Sequence, residues 1–237
     1  MRKMKGSSNY LKNQVRKNLA KAVLCLVIFL LVFFALSLRV LFRLSLSIFE
    51  EAGLLVSLVP LAGSYFYLRQ YRIYKAGWAG EKEVAKLLSS KLNDDYFLIN
   101  DLYLQGGGDI DHVILGPTGI FVLETKNWSG DITCNGDSWQ RAGMGNFKGS
   151  PSLQVKRNAA KIKRIIDSSQ AFRSLDVWVE GIVVFTNNRA TFHLNNPTVL
   201  ILKLPQLPSH ITEQRSSTNL SRQQIEAIGQ EILRQKS

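Results

Sequence analysis

Hydrophobic positions fall into two long runs and then a series of short alternating segments. Residues 19–38 are almost wholly apolar, with Lys21 the one charge near the edge. About 20 apolar residues are enough to cross a bilayer as a helix. Residues 52–68 form a second, shorter run that carries Gly53, Pro60 and Gly63, which membrane helices tolerate. Residues 75–79 read as a linker, and 81–92 as a helix with Val84, Ala85, Leu87, Leu88 and Leu92 on one face. Apolar runs at 96–104, 109–115 and 120–126 predict three strands, separated by glycine-rich turns at 106–108 and 116–119. A shorter strand follows at 131–134, then a glycine-rich loop to Gly149. Pro151 opens a helix over 152–167, with Val155, Ala159, Ile162 and Ile166 as its inner stripe. Strands at 177–186 and 198–202 and a closing helix at 222–233 complete the chain. This order predicts an α/β fold with a mixed β-sheet flanked by helices, preceded by two transmembrane helices.

Charge sharpens that division. The 237 residues carry a formal charge of +12, but up to Lys75 there are twelve Lys/Arg against two Asp/Glu, and beyond it eighteen against sixteen. The basic excess therefore flanks the apolar runs and is not by itself a nucleic-acid signature. Arg2, Lys3, Lys5, Lys12, Arg16, Lys17 and Lys21 precede the first run, and Arg69, Arg72 and Lys75 follow the second. The positive-inside rule then puts both ends in the cytoplasm. The expected organisation is a basic cytoplasmic segment at 1–18, a two-helix transmembrane hairpin at 19–75 and a cytoplasmic domain at 76–237, in the plasma or inner membrane. A cleaved signal peptide fits less well, because the apolar core is too long and no small-x-small site follows it.

Cysteine and histidine exclude some chemistry. Cys25 lies in the first apolar run and Cys134 stands alone in the second part, so no disulfide framework is available. His112, His193 and His210 have no zinc-site spacing.

The stretch from Asp111 to Lys126 carries the candidate chemistry. A turn at Gly116–Pro117–Thr118–Gly119 folds one apolar strand back on the next, bringing Asp111 toward Glu124. Glu124 and Lys126, two apart, point to the same side. Two carboxylates and an ammonium at a sheet edge suit a hard divalent cation and a lysine that orients water. The alternative is a surface hairpin with a cross-strand ion pair. Glu81, on the inner side of the first helix, either complements the helix dipole or reaches the same pocket. Gln154 and Asn158, one turn apart on one helix face, read as solvated amides, with the alternative that Gln154 lines the pocket. His112 alternates to the other strand face and reads as a core residue.

Taken together, Gly80–Glu81, Asp109–Ile110–Asp111–His112–Val113, Gly119 to Asn127 with its Glu124–Thr125–Lys126, Trp128–Ser129–Gly130–Asp131–Ile132 and Pro151–Ser152–Leu153–Gln154 resemble the PD-(D/E)xK nuclease superfamily. The match is closer still to its nuclease-related domain, NERD. The likeness covers roughly residues 77–185, with Ser150 where the family favours Asn.

That resemblance implies a restriction-endonuclease-like sheet and a divalent-metal-dependent nuclease. Glu81, Asp111 and Glu124 would hold Mg²⁺ (or Mn²⁺), with Asp109 assisting or competing. Lys126 would position the attacking water or neutralise the scissile phosphate, and Gln154 would support the site. Lys156, Arg157 and Lys161 would meet the phosphates of DNA or RNA, and pairing into a homodimer would allow two strands to be cut. The alternative function is a non-catalytic, membrane-tethered module that binds nucleic acid or another partner on the same fold.

Overall fold

The computed structural model describes residues 1–4, 9–42, 48–104, 108–143, 145–146, 149–213 and 220–235. The expected turn at 106–108 and the glycine-rich loop lie partly outside these residues. Two compact units emerge: Tyr10–Trp78, and Met1–Asn9 together with Ala79–Ser237.

In the first unit, α1 (Tyr10–Leu41) contains the long apolar run. It is long and apolar enough to cross a membrane over Tyr10–Leu38, with a mean hydropathy of 2.9 in its most apolar stretch. Leu24, Leu31, Phe33 and Phe34 are exposed on it. The second run lies within α2 (Ile48–Lys91), and it is not a second such span among the described residues. Contacts pair the two helices antiparallel. Tyr10 meets Tyr74 edge to face, and the Lys21 ammonium lies over the Tyr67 ring. A Cβ on Gly63 would touch Cys25 Sγ at 3.4 Å.

The expected linker at 75–79 does not break the chain, because α2 continues through it to Lys91. Gly77, within that stretch, lowers helix propensity without forcing an end.

The second unit is an α/β domain. Its main sheet is built from β1 (Arg2–Met4), β2 (Phe97–Tyr103), β3 (Asp109–Gly116), β4 (Gly119–Lys126), β8 (Val179–Phe185) and β10 (Leu200–Lys203). Their spatial order is β1-β2-β3-β4-β8-β10. β2, β3 and β4 form an antiparallel meander. β8 joins β4 in parallel, β10 joins β8, and β1 joins β2. The β3–β4 turn is two residues long, with Gly116 opposite Gly119. Gly119 has φ +133°, open to glycine and strained for other residues.

Alternation along β4 divides the core into two layers. Phe121 and Leu123 pack with Val84 and Leu88 of α2. Ile120 and Val122 pack on the other face with Val155 and Ile162 of α3 (Pro151–Ser168) and with α5 (Arg222–Arg234). Ser150 caps α3, its hydroxyl accepting from the Leu153 N–H at 3.2 Å. α4 (Leu207–Glu213) buries Leu207 and Ile211 in the α2-side layer.

A second sheet follows the pattern of the sequence only in part. Its strands are β5 (Gly130–Asn135), β6 (Ser138–Arg141), β7 (Gly145–Asn146) and β9 (Ala190–Asn195), in the order β7-β6-β5-β9. β5 and β9 pair in parallel, as β4 and β8 do before them. The chain thus leaves the main sheet twice side by side, at Asn127–Ser129 and again after Thr186.

Candidate functional site

The β3–β4 ladder pairs His112 with Leu123 and goes no further toward Asp111. There the two strands part. The Asp111 carboxylate takes the backbone N–H of Thr125 through Oδ2 at 2.6 Å. Continuing the alternation of β4, Glu124 and Lys126 lie on the α3 side and Thr125 on the α2 side. Lys126 Nζ donates to Glu124 Oε1 at 2.5 Å. Glu124 is only 2% exposed, and its second oxygen, Oε2, is buried with no hydrogen-bond partner. An acceptor left so is costly unless something electropositive meets it.

Glu81 reaches this pocket from α2. It hydrogen-bonds to Asp101 and lies within electrostatic range of Asp111 and Glu124. Burial, then the Asp111 and Asp101 charges, push its carboxyl up to about 9. Burial also raises Asp111 well above the carboxylate range; Glu124 adds to this, while Lys126 and the Thr125 N–H oppose it. Glu124 is raised by burial against the pull of Lys126 and Arg157. Burial would lower Lys126, but Glu124 and Asp111 outweigh it, so the ammonium is held more firmly than usual. One lysine among buried and half-buried acids leaves negative charge that protons compensate.

Gly80 allows this approach. A Cβ there would stand 2.8 Å from Thr186 Oγ1 and 3.4 Å from the Asn127 Cβ. α2 therefore crosses the ends of β4 and β8 with no room for a side chain, and Glu81 is the next residue along the helix.

Glu81, Asp111, Glu124 and Lys126 lie within electrostatic range of one another, and Asp101, which sequence reasoning passed over, joins them. Asp101 stands between the Asn100–His112 and Leu102–Ile110 pairs with φ +51°. An acid inside an otherwise apolar strand was the available signal. Gln154 is half-buried in the first turns of α3. Asn158 is buried rather than solvated, and its Nδ2 donates to the Asp109 carbonyl at 3.0 Å, fastening α3 two residues before Asp111. Of the basic residues on α3, Lys156 is paired with Asp137 at 2.8 Å. Arg157 is exposed and close enough to Glu124 to lower it. Lys161 Nζ lies 3.3 Å from where a Gly108 Cβ would be. His112 packs as expected: it is buried, its Nδ1 is 2.7 Å from Asn100 Oδ1, and burial drives it down to about 3, so it stays neutral.

An aromatic brace holds the lysine side of the pocket. The Lys126 ammonium lies 5.7 Å from the centre of the Trp128 ring. Trp128 meets Trp139 and Phe185 edge-on. Trp139 Nε1 donates to Ser152 Oγ at 2.9 Å, tying the second sheet to the start of α3.

Residues 76–186 match the nuclease-related domain family, NERD. This segment is therefore similar to the NERD family. An uncharacterised protein of Bacillus anthracis is 35% identical over 95 residues, 38% of this chain and 44% of its own length. A probable kinase, PglW, of Streptomyces coelicolor is 28% identical over 140 residues, 54% of this chain and 9% of its own length. The chain thus spans less than half the length of these relatives. Among solved structures, protein VC1899 from Vibrio cholerae aligns with 94% of this chain and 58% of its own, at 10% identity and a TM-score of 0.29.

The acids of this segment are of a type that suits a hard divalent cation. They offer oxygen ligands, protons that a cation can displace, and the orphaned Glu124 Oε2. Among the described residues, no three His, Cys, Asp or Glu side chains already stand as a metal cage.

Proposed function

We propose that this chain is a membrane-anchored, divalent-metal-dependent nuclease acting on DNA or RNA phosphodiesters. The observation that carries this reading is Glu124, buried beside Asp111 and Lys126 with one oxygen unpartnered. Glu81, Asp111 and Glu124 would hold Mg²⁺ or Mn²⁺, which when bound lowers the pKa of a water ligand and stabilises phosphate charge. Lys126, kept charged by its acidic neighbours and braced by Trp128, would orient the water or meet the scissile phosphate. Gln154 would support the site from α3.

The membrane part of the proposal is a two-helix hairpin with the NERD-like domain on the cytoplasmic side. The antiparallel contacts of α1 with α2 support it. So does β1, which precedes α1 in the chain yet pairs with β2 of the NERD-like domain's sheet.

The test is incubation of the full chain with plasmid, linear and single-stranded substrates plus Mg²⁺ or Mn²⁺. Cleavage is expected, and Glu124→Ala with Lys126→Ala should abolish it. Cleavage that survives this double substitution overturns the assignment. The close Lys126–Glu124 pair favours one second reading, a non-catalytic nucleic-acid-binding module. Salt-dependent binding without product, unchanged by EDTA, would select it.

A further inference from the structure

α3 carries a second basic feature, away from the acids. Arg157, Lys161, Arg164 and Ser168 are spaced four, three and four residues apart, so they share one helical face. This face begins within electrostatic range of Glu124 at Arg157 and passes Gly108 at Lys161. It ends in a cleft of about 410 Å³ lined by Lys161, Arg164, Ser168, Ser169, Glu231 and Gln235. The acid in the cleft, Glu231, is paired with Arg234 at 3.1 Å. Arg164 makes no ion pair among the described residues, so the cleft keeps a net positive field. Two other basic residues of the helix are diverted, Lys156 to Asp137 and Lys163 to Asp167.

We propose that this face is a track for a nucleic-acid backbone, with the Arg164 cleft as a distal phosphate subsite. The proposal rests on the nuclease or binding reading of the pocket and deepens it. Seven residues separate Arg157 from Arg164, a rise of about 10 Å along the helix. A short run of phosphates along one strand covers that distance. The guanidinium offers forked donors to a phosphate, and the two serines and Gln235 add neutral hydrogen-bonding groups. A strand engaged at the acidic pocket must therefore extend beyond it to gain the distal contact.

Binding of labelled oligothymidylate and oligouridylate, from two to twelve nucleotides, to the full chain in zwitterionic nanodiscs with EDTA tests this. Affinity should rise with length until the track is spanned. Arg164→Ala should weaken the twelve-mer about 5- to 10-fold and leave the dinucleotide unchanged, and it should lower the salt slope by about 0.7 for a single strand. Lys163→Ala removes the same charge from another face and should keep the length dependence. Equal affinity of wild type and Arg164→Ala at every length overturns the track, as does an equal loss at every length. Loss of binding only to anionic vesicles overturns it in favour of lipid. Cleavage by a chain whose Arg164 variant binds normally would leave the nuclease reading standing alone. Length-dependent binding without cleavage would leave only the track.

Discussion

Glu81 is where burial and charge meet most sharply. Its carboxyl moves from the ordinary value near 4.5 up to about 9. Between those limits the folded chain holds a proton that the unfolded chain has released, so stability falls as pH rises through the window. Asp111 and Glu124, also raised, act in the same direction. Lys126 is raised from above the window, so its contribution stays constant across it. With EDTA, the Tm of the full chain should drop by about 3 °C or more between pH 5.5 and 8.5. Glu81→Gln should flatten that slope, because the amide cannot ionise. Millimolar Mg²⁺ should stabilise more at the higher pH, since metal binding must displace the proton. A wild-type Tm that stays level over this range would show that Glu81 is not held protonated.

At the scale of elements, the placement of Glu81 depends on how closely α2 crosses β4 and β8. Gly80→Ala would put a methyl 2.8 Å from Thr186 Oγ1. Overpacking of this kind costs about 1–3 kcal/mol, and here it also pushes Glu81 away from Asp111. The Thr186 hydroxyl is buried without a partner, so it can be removed at little cost. Thr186→Ala in the Gly80→Ala background should therefore restore most of the lost Tm and Mn²⁺ affinity. A double variant no better than Gly80→Ala alone would place the clash elsewhere. The same elements show what the sequence could and could not reveal. Asp111, Glu124 and Lys126 were legible because strand alternation and a two-residue turn determine where they point. Asp101 showed as an acid within an apolar run, but its left-handed backbone, which sets where it points, has no local sequence signature. The continuity of α2 was hidden by its glycines, whose role is close packing. β6, β7 and β9 are short and largely polar, and they form by pairing across the fold, which leaves little periodic trace.

For the whole molecule, parity constrains the topology. β1 belongs to the same sheet as β2, so the two strands lie on the same side of any membrane. On the proposed membrane-anchored reading, the chain between Met4 and Ala79 then crosses an even number of times. α1 is long and apolar enough for one crossing, and the antiparallel first part of α2 is the segment available for the return. Pro60 inside α2 is compatible with this, because neighbouring helices can satisfy the backbone group it frees. Single cysteines introduced in a Cys25→Ala, Cys134→Ala background would read the topology through a membrane-impermeant thiol reagent. Lys12→Cys and Lys82→Cys should be protected in intact cells and labelled in inverted vesicles, and Phe42→Cys should show the reverse. Labelling of Lys12→Cys and Lys82→Cys from opposite sides would mean a single crossing, and β1 could not then pair with β2 in the membrane-bound protein.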